Sequence, residues 1–163
     1  MRTCVFAGTF DPFTNGHAFV IDKCLKMFDK VVIAVGVNVD KTPLFSVEER
    51  MDMIRAVYSQ EPKVQVKAFE GLLTDFMKEN EIYINVRGIR DRDDYKYETT
   101  MARYNEDMFK EIITVYLPTP KGLTYVSSSA VRNLIDLSAD FSNYVPKATY
   151  DIAKEILEEN NGK

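Results

Sequence analysis

The chain holds a single histidine, His17, and two cysteines, Cys4 and Cys24, among 163 residues. One histidine and two cysteines without ligand spacing argue against a zinc site of the usual kind, and two cysteines are too few for a disulfide framework, so buried free thiols are expected. An excess of basic charge is missing too: the formal net charge is -4, which argues against a general nucleic-acid binder. No apolar run approaches the length that spans a bilayer, and Met1-Arg2-Thr3 leads into the first apolar run without a signal-peptide pattern. The expectation is a soluble cytoplasmic protein with no membrane partner. Neither Gly-x-x-x-x-Gly-Lys-(Ser/Thr) nor Gly-x-Gly-x-x-Gly occurs, which disfavours a P-loop kinase and a dinucleotide-dependent dehydrogenase. There is no internal repeat, low-complexity tract or linker, and residues 1–163 read as one domain.

What is present is an alternation of apolar runs and amphipathic stretches. Cys4-Val5-Phe6-Ala7 and Lys30 to Val37 read as strands buried on both faces, Lys63 to Phe69 as a strand nearer the sheet edge, and Ile82 to Val86 and Ile112 to Leu117 as two more. Helical spacing follows each of the first four, most clearly after the capping box Ser46-Val47-Glu48-Glu49 and from Asp91 to Phe109, where Tyr97, Met101, Tyr104 and Met108 form a stripe. The fold class implied is α/β, a Rossmann-like, doubly wound sheet of about five parallel strands with its site at their carboxyl ends.

The chain is organised around Gly8-Thr9-Phe10-Asp11-Pro12-Phe13-Thr14-Asn15-Gly16-His17, a loop between the first strand and a helix start. Gly8 and Gly16 allow close backbone approach, Asn15 is the expected N-cap, and the first free amides of the helix favour phosphate. His17, in the first turn beside Thr9, suits a neutral hydrogen-bond donor to a phosphoryl oxygen, the helix dipole opposing its protonation. Further loops at the same edge carry Lys41, Leu73, the pair Arg87 and Arg90 around Gly88, and a serine run, Ser127-Ser128-Ser129, that caps a second helix. Such a site offers anion donors and no convincing nucleophile, which suits direct phosphoryl or nucleotidyl transfer.

The first motif resembles the signature of the nucleotidyltransferase superfamily with a (His/Thr)-x-Gly-His motif, in the form used by bacterial phosphopantetheine adenylyltransferases. Lys41-Thr42-Pro43-Leu44-Phe45 with Glu48-Glu49-Arg50, Arg87-Gly88-Ile89-Arg90, Asp94 to Glu98 and Val126 to Ser129 extend the likeness in the same order. The resemblance implies transfer of an adenylyl group from ATP, with Mg²⁺, to 4'-phosphopantetheine, giving 3'-dephospho-CoA and pyrophosphate in the penultimate step of coenzyme A synthesis. It makes His17 the transition-state stabiliser, with Lys41 and Arg90 in the catalytic set. It assigns Thr9, Lys41, Leu73 and Arg87 to phosphopantetheine, and Thr9, Phe10, His17, Gly88, Ile89, Arg90, Glu98 and Leu123, Thr124, Tyr125, Val126, Ser127, Ser128 and Ser129 to ATP. No side-chain metal ligand is implied. Relatives are typically hexamers and some respond to coenzyme A as a feedback inhibitor. Leu123 stands where some relatives have tryptophan, and Asp91-Arg92-Asp93 is more charged than usual. The rival readings are a sibling nucleotidyltransferase with another phosphorylated acceptor and a non-catalytic nucleotide-binding module.

Overall fold

A computed structural model describes residues 1–37 and 42–161. Five strands, β1 (Thr3–Gly8), β2 (Lys30–Val37), β3 (Val64–Glu70), β4 (Ile84–Ile89) and β5 (Ile113–Pro118), alternate with α1 (Asn15–Met27), α2 (Val47–Val57), α3 (Leu73–Glu79) and α4 (Arg92–Met108); α5 (Ser128–Asp136) and α6 (Lys147–Asn161) close the fold. The sheet order is β3-β2-β1-β4-β5, with every pairing parallel, which bears out the doubly wound reading. Strand order reverses between β1 and β4, and the crevice at that switch is where such sheets bind ligands. The β1–α1 loop and Arg87 with Arg90 both reach it.

The central strands are apolar throughout because each faces a covered side: Cys4, Phe6 and Ile33 pack with Phe13, Ile21 and Ile54 under α1 and α2. Val5, Val32 and Ala34 face the other way, against Phe76, Met77 and Phe109. Burial of each Val, Ile, Phe and Met side chain there contributes roughly 1.5–3 kcal/mol. A third cluster, Phe45, Met53, Val131, Phe141, Val145 and Ala153, joins α2 to α5 and α6 and fixes the second helix start beside the first. The capping box at α2 is formed: the Glu49 N–H donates to Ser46 Oγ at 3.3 Å and the Ser46 N–H donates to Glu49 Oε2 at 2.6 Å.

Two expectations are corrected, the N-cap of α1 and the span of the fourth strand. The N-cap of α1 is Thr14 and not Asn15, whose side chain instead donates to the Asn143 carbonyl at 3.0 Å. The fourth strand runs Ile84–Ile89, later than Ile82 to Val86, because Arg87, Gly88 and Ile89 continue the ladder opposite Tyr116, Leu117 and Pro118. Leu73 is the first residue of α3, packed towards the second cluster. The Tyr97, Met101, Tyr104 and Met108 stripe lies on a helix as expected, yet it is exposed, and Ala102 is the one buried residue of α4.

Candidate active site

Two adjoining cavities, of about 230 and 390 Å³, open at the carboxyl ends of β1, β2 and β4 and share Phe10, His17 and Ser128 as their common wall. His17 is held there by its own helix cap. The Thr14 N–H donates to His17 Nδ1 at 3.0 Å, and the His17 N–H donates to Thr14 Oγ1 at 3.4 Å. A backbone N–H can only donate, so Nδ1 carries a lone pair and the proton of the neutral ring resides on Nε2. Phe10 meets the ring edge-on at 5.0 Å between centroids, with Phe13 at 5.5 Å and Phe6 at 6.2 Å. This aromatic seat desolvates the imidazole, and burial, with the charges of Arg90 and then Arg87, lowers its pKa to about 3. The ring is therefore neutral at any ordinary pH. The helix dipole credited from sequence is not the leading cause.

The first cavity brings together Gly88, Arg87, Arg90, Glu98, Val126 and Ser127. Arg87 leans on Glu98 through a two-pronged pair at 2.8 and 2.7 Å, while its Nη1 donates to the Ala7 carbonyl at 2.6 Å. Arg90 grips Asp94 at 2.7 and 3.0 Å, which holds that carboxyl below its usual range. Gly88 is required by packing: a Cβ there would stand 2.9 Å from Val20 Cγ2, pushing β4 off α1. A Cβ at Gly8 would press the Phe10 ring at 3.1 Å, whereas at Gly16 it would meet only ordinary contact at 3.5 Å.

The second cavity brings Thr9 and Ser129 to Thr42, Pro43 and Arg132. Ser127 caps α5, accepting from the Ala130 N–H at 3.1 Å, and Ser128 Oγ donates to the Pro12 carbonyl at 2.8 Å. The hydroxyls of these two serines thus build the site, leaving the first amides of α5 as its anion donors.

Leu73, Ile89, Leu123, Thr124 and Tyr125 line neither cavity. Leu73 packs at the second core cluster, the Ile89 carbonyl accepts from the Thr119 N–H at 2.8 Å, and Tyr125 is exposed, its ring edge-on to Tyr144. Lys41 lies outside the described residues. Reading the sequence missed Asp11, Thr14, Arg50, Asp94, Thr119 and Arg132. For Arg50 a signal existed: it falls on the helix face of Val47, Met51 and Ile54, and a charge on an apolar stripe must find buried partners.

A cytidylyltransferase-like family model matches residues 5–134. Similar curated proteins include the phosphopantetheine adenylyltransferase of Clostridium perfringens (strain SM101 / Type A), 37% identical over 96% of both chains. That of Nautilia profundicola is 40% identical over 93% of this chain and 97% of its own. That of Clostridium tetani is 38% identical over the full length of both.

Proposed function

The chain belongs to the cytidylyltransferase-like family and, within it, to the phosphopantetheine adenylyltransferases, and on that premise we propose the reaction and the part each residue takes in it. The protein transfers the adenylyl group of ATP to 4'-phosphopantetheine, releasing 3'-dephospho-CoA and pyrophosphate. A phosphate oxygen of the acceptor attacks the α-phosphorus in line, the new P–O bond forms, and the bond to the bridging oxygen breaks as pyrophosphate leaves. The attacking phosphate is already ionised, so no general base is needed. The work of the protein is to bring two anions together and to meet charge growing on the α-phosphoryl oxygens.

His17 is the group that meets that charge, through Nε2–H. The observation that carries this role is the Thr14 N–H on Nδ1, which leaves Nε2 as the ring's donor. Arg90 and the α5 amides at Ser128 and Ser129 take the leaving phosphates, with Phe10, Gly88, Val126 and Ser127 around the nucleotide. Thr9, Lys41 and Arg87 take the acceptor phosphate. Both oxygens of Glu98 are engaged by Arg87, so Glu98 serves the site by holding that arginine.

Among the described residues no three His, Cys, Asp or Glu side chains are grouped as ligands, and Asp11, Asp94 and Glu98 already accept protein donors. Mg²⁺ is accordingly read as part of the substrate, MgATP, and not as a resident ion. The exposed Tyr97, Met101, Tyr104 and Met108 are suited to meet a second copy, in keeping with a hexamer. Coenzyme A carries both the acceptor's arm and a nucleotide, so as an inhibitor it competes for both cavities. The reaction is proposed to run in the cytoplasm, as expected of a step that draws on ATP. Among the described residues no helix is long and apolar enough to cross a membrane.

The test is pyrophosphate release from MgATP with 4'-phosphopantetheine, nicotinamide mononucleotide or glycerol 3-phosphate. Release is expected with the first alone and falls about 100- to 1000-fold in a folded His17→Ala variant. Release with another acceptor overturns the substrate; release with none overturns catalysis.

A further inference from the structure

Arg50 is 1% exposed, and all its hydrogen bonds among the described residues go to backbone carbonyls. Nε donates to Phe45 O at 3.0 Å and Ser46 O at 3.3 Å; Nη1 donates to Thr9 O at 2.6 Å and Gly36 O at 3.2 Å. These acceptors belong to three segments: the loop leaving β1, the end of β2 and the entry to α2. Asp11, 4% exposed, completes the arrangement from the opposite side, accepting the Leu44 and Phe45 N–H groups at 2.9 Å each. The entry to α2 is therefore gripped by its N–H groups and by its carbonyls, and both grips lead back to the loop that carries Thr9.

Nothing in the chemistry drawn above uses Arg50. Burying a guanidinium is costly, since desolvating it takes several kcal/mol that its hydrogen bonds must first offset. What a buried, many-donor group of fixed shape supplies is geometry, since its rigid fork holds carbonyls of three segments at set separations; a lysine ammonium has no such fork. The face that this geometry sets, Thr9, Gly36, Thr42 and Pro43, lines the second cavity and not the first, where Gly88 and Val126 stand.

We propose that Arg50, acting with Asp11, is the positioning residue for the acceptor side of the cleft, fixing Thr9 and the segment that follows Lys41 at the distance in-line attack requires. The inference rests on the phosphopantetheine reading of that side. It goes beyond that reading because Arg50, although it lines the second cavity, spends its hydrogen bonds among the described residues on backbone carbonyls and so acts through its neighbours.

The whole chain carrying Arg50→Lys, and separately Asp11→Asn, would be assayed with each substrate varied in turn. The expected result is a loss of about 100-fold in kcat/KM for 4'-phosphopantetheine, with KM for ATP within about threefold of the parent. An equal rise in KM for both substrates, or parental kinetics in variants whose unfolding midpoint has dropped, would show a folding element and overturn the proposal. If one variant fails to fold, the other decides by the same split; if neither folds, Arg50 and Asp11 serve folding and the proposal is wrong. A parent chain inactive with phosphopantetheine but active with another acceptor would refute the substrate reading first. In that case the same split is read on the acceptor that works.

Discussion

Arg50 lines the second cavity and Arg90 the first, and they are bonded in opposite ways. Arg50 is buried and bound to carbonyls, which carry no net charge and cannot leave the backbone. Arg90 sits at the mouth, bound to the carboxylate of Asp94, whose side chain is 24% exposed. A carboxylate partner is replaceable: an arriving phosphate offers the same forked acceptor with more charge, and Asp94 can turn to water. A carbonyl partner is not. One arginine is part of the frame and the other is held ready for an anion, although both are the same side chain a few residues from a helix start or strand end.

That contrast can be broken by experiment. Arg50→Leu should cost about 4 kcal/mol of stability, since several carbonyls lose their donor, seen as a lower urea midpoint with an unchanged slope. Arg90→Ala should do the reverse, costing at most about 1 kcal/mol of stability while kcat/KM for ATP falls about 100-fold. If the two swapped profiles, the division between frame and reserve would be wrong. Gly88→Ala should destabilise by about 2 kcal/mol through Val20, and Val20→Ala in the same chain should recover part of the loss.

The smallest effect is the sharpest. His17 is the only histidine, so its Cε1 proton resonance titrates alone in an NMR spectrum. Its pKa is lowered to about 3 from an unfolded value near 6.5. Between those values the unfolded chain holds a proton that the folded chain lacks, so this contribution to stability is complete above about pH 6.5 and is lost as pH falls towards 3. In the folded protein the resonance should stay flat from pH 8 to 5. In Arg90→Ala, with one nearby positive charge gone, the midpoint should rise. A midpoint that does not move would mean that burial acts alone.

Much of this was readable in advance. The buried strands β1 and β2 announce themselves because parallel strands covered on both faces need unbroken apolar runs. The motif from Gly8 to His17, the α2 capping box and the serine-capped start of α5 are local patterns, and local patterns survive folding. The strand end at β4 was misplaced because Arg87 and Gly88 look like loop residues, while the ladder needs only their backbone. Thr14 and Asn15 are both capping types, and what selects Thr14 is the His17 ring closing the box at a position that Glu or Gln usually fills. The bonds of Arg50 to Thr9 and Gly36 cross 41 and 14 residues, and no window of sequence contains them.

The bonds that close the signature loop from above reach farther still: Ser128 to Pro12 and Arg132 to Asp11 span 116 and 121 residues. On a ribosome, β1 emerges first and pairs with β2, then waits with its other edge open until β4 arrives, and the loop waits longer for α5. At synthesis rates of about 5–20 residues per second that interval is on the order of ten seconds, during which the nascent chain offers an unpaired apolar strand to chaperones or to its neighbours. A fragment that stops before Ser127 would hold the motif and every residue of its loop, yet not the site. The loop's geometry is thus set by residues more than a hundred positions downstream, and a fragment without α5 is expected to release no pyrophosphate from ATP.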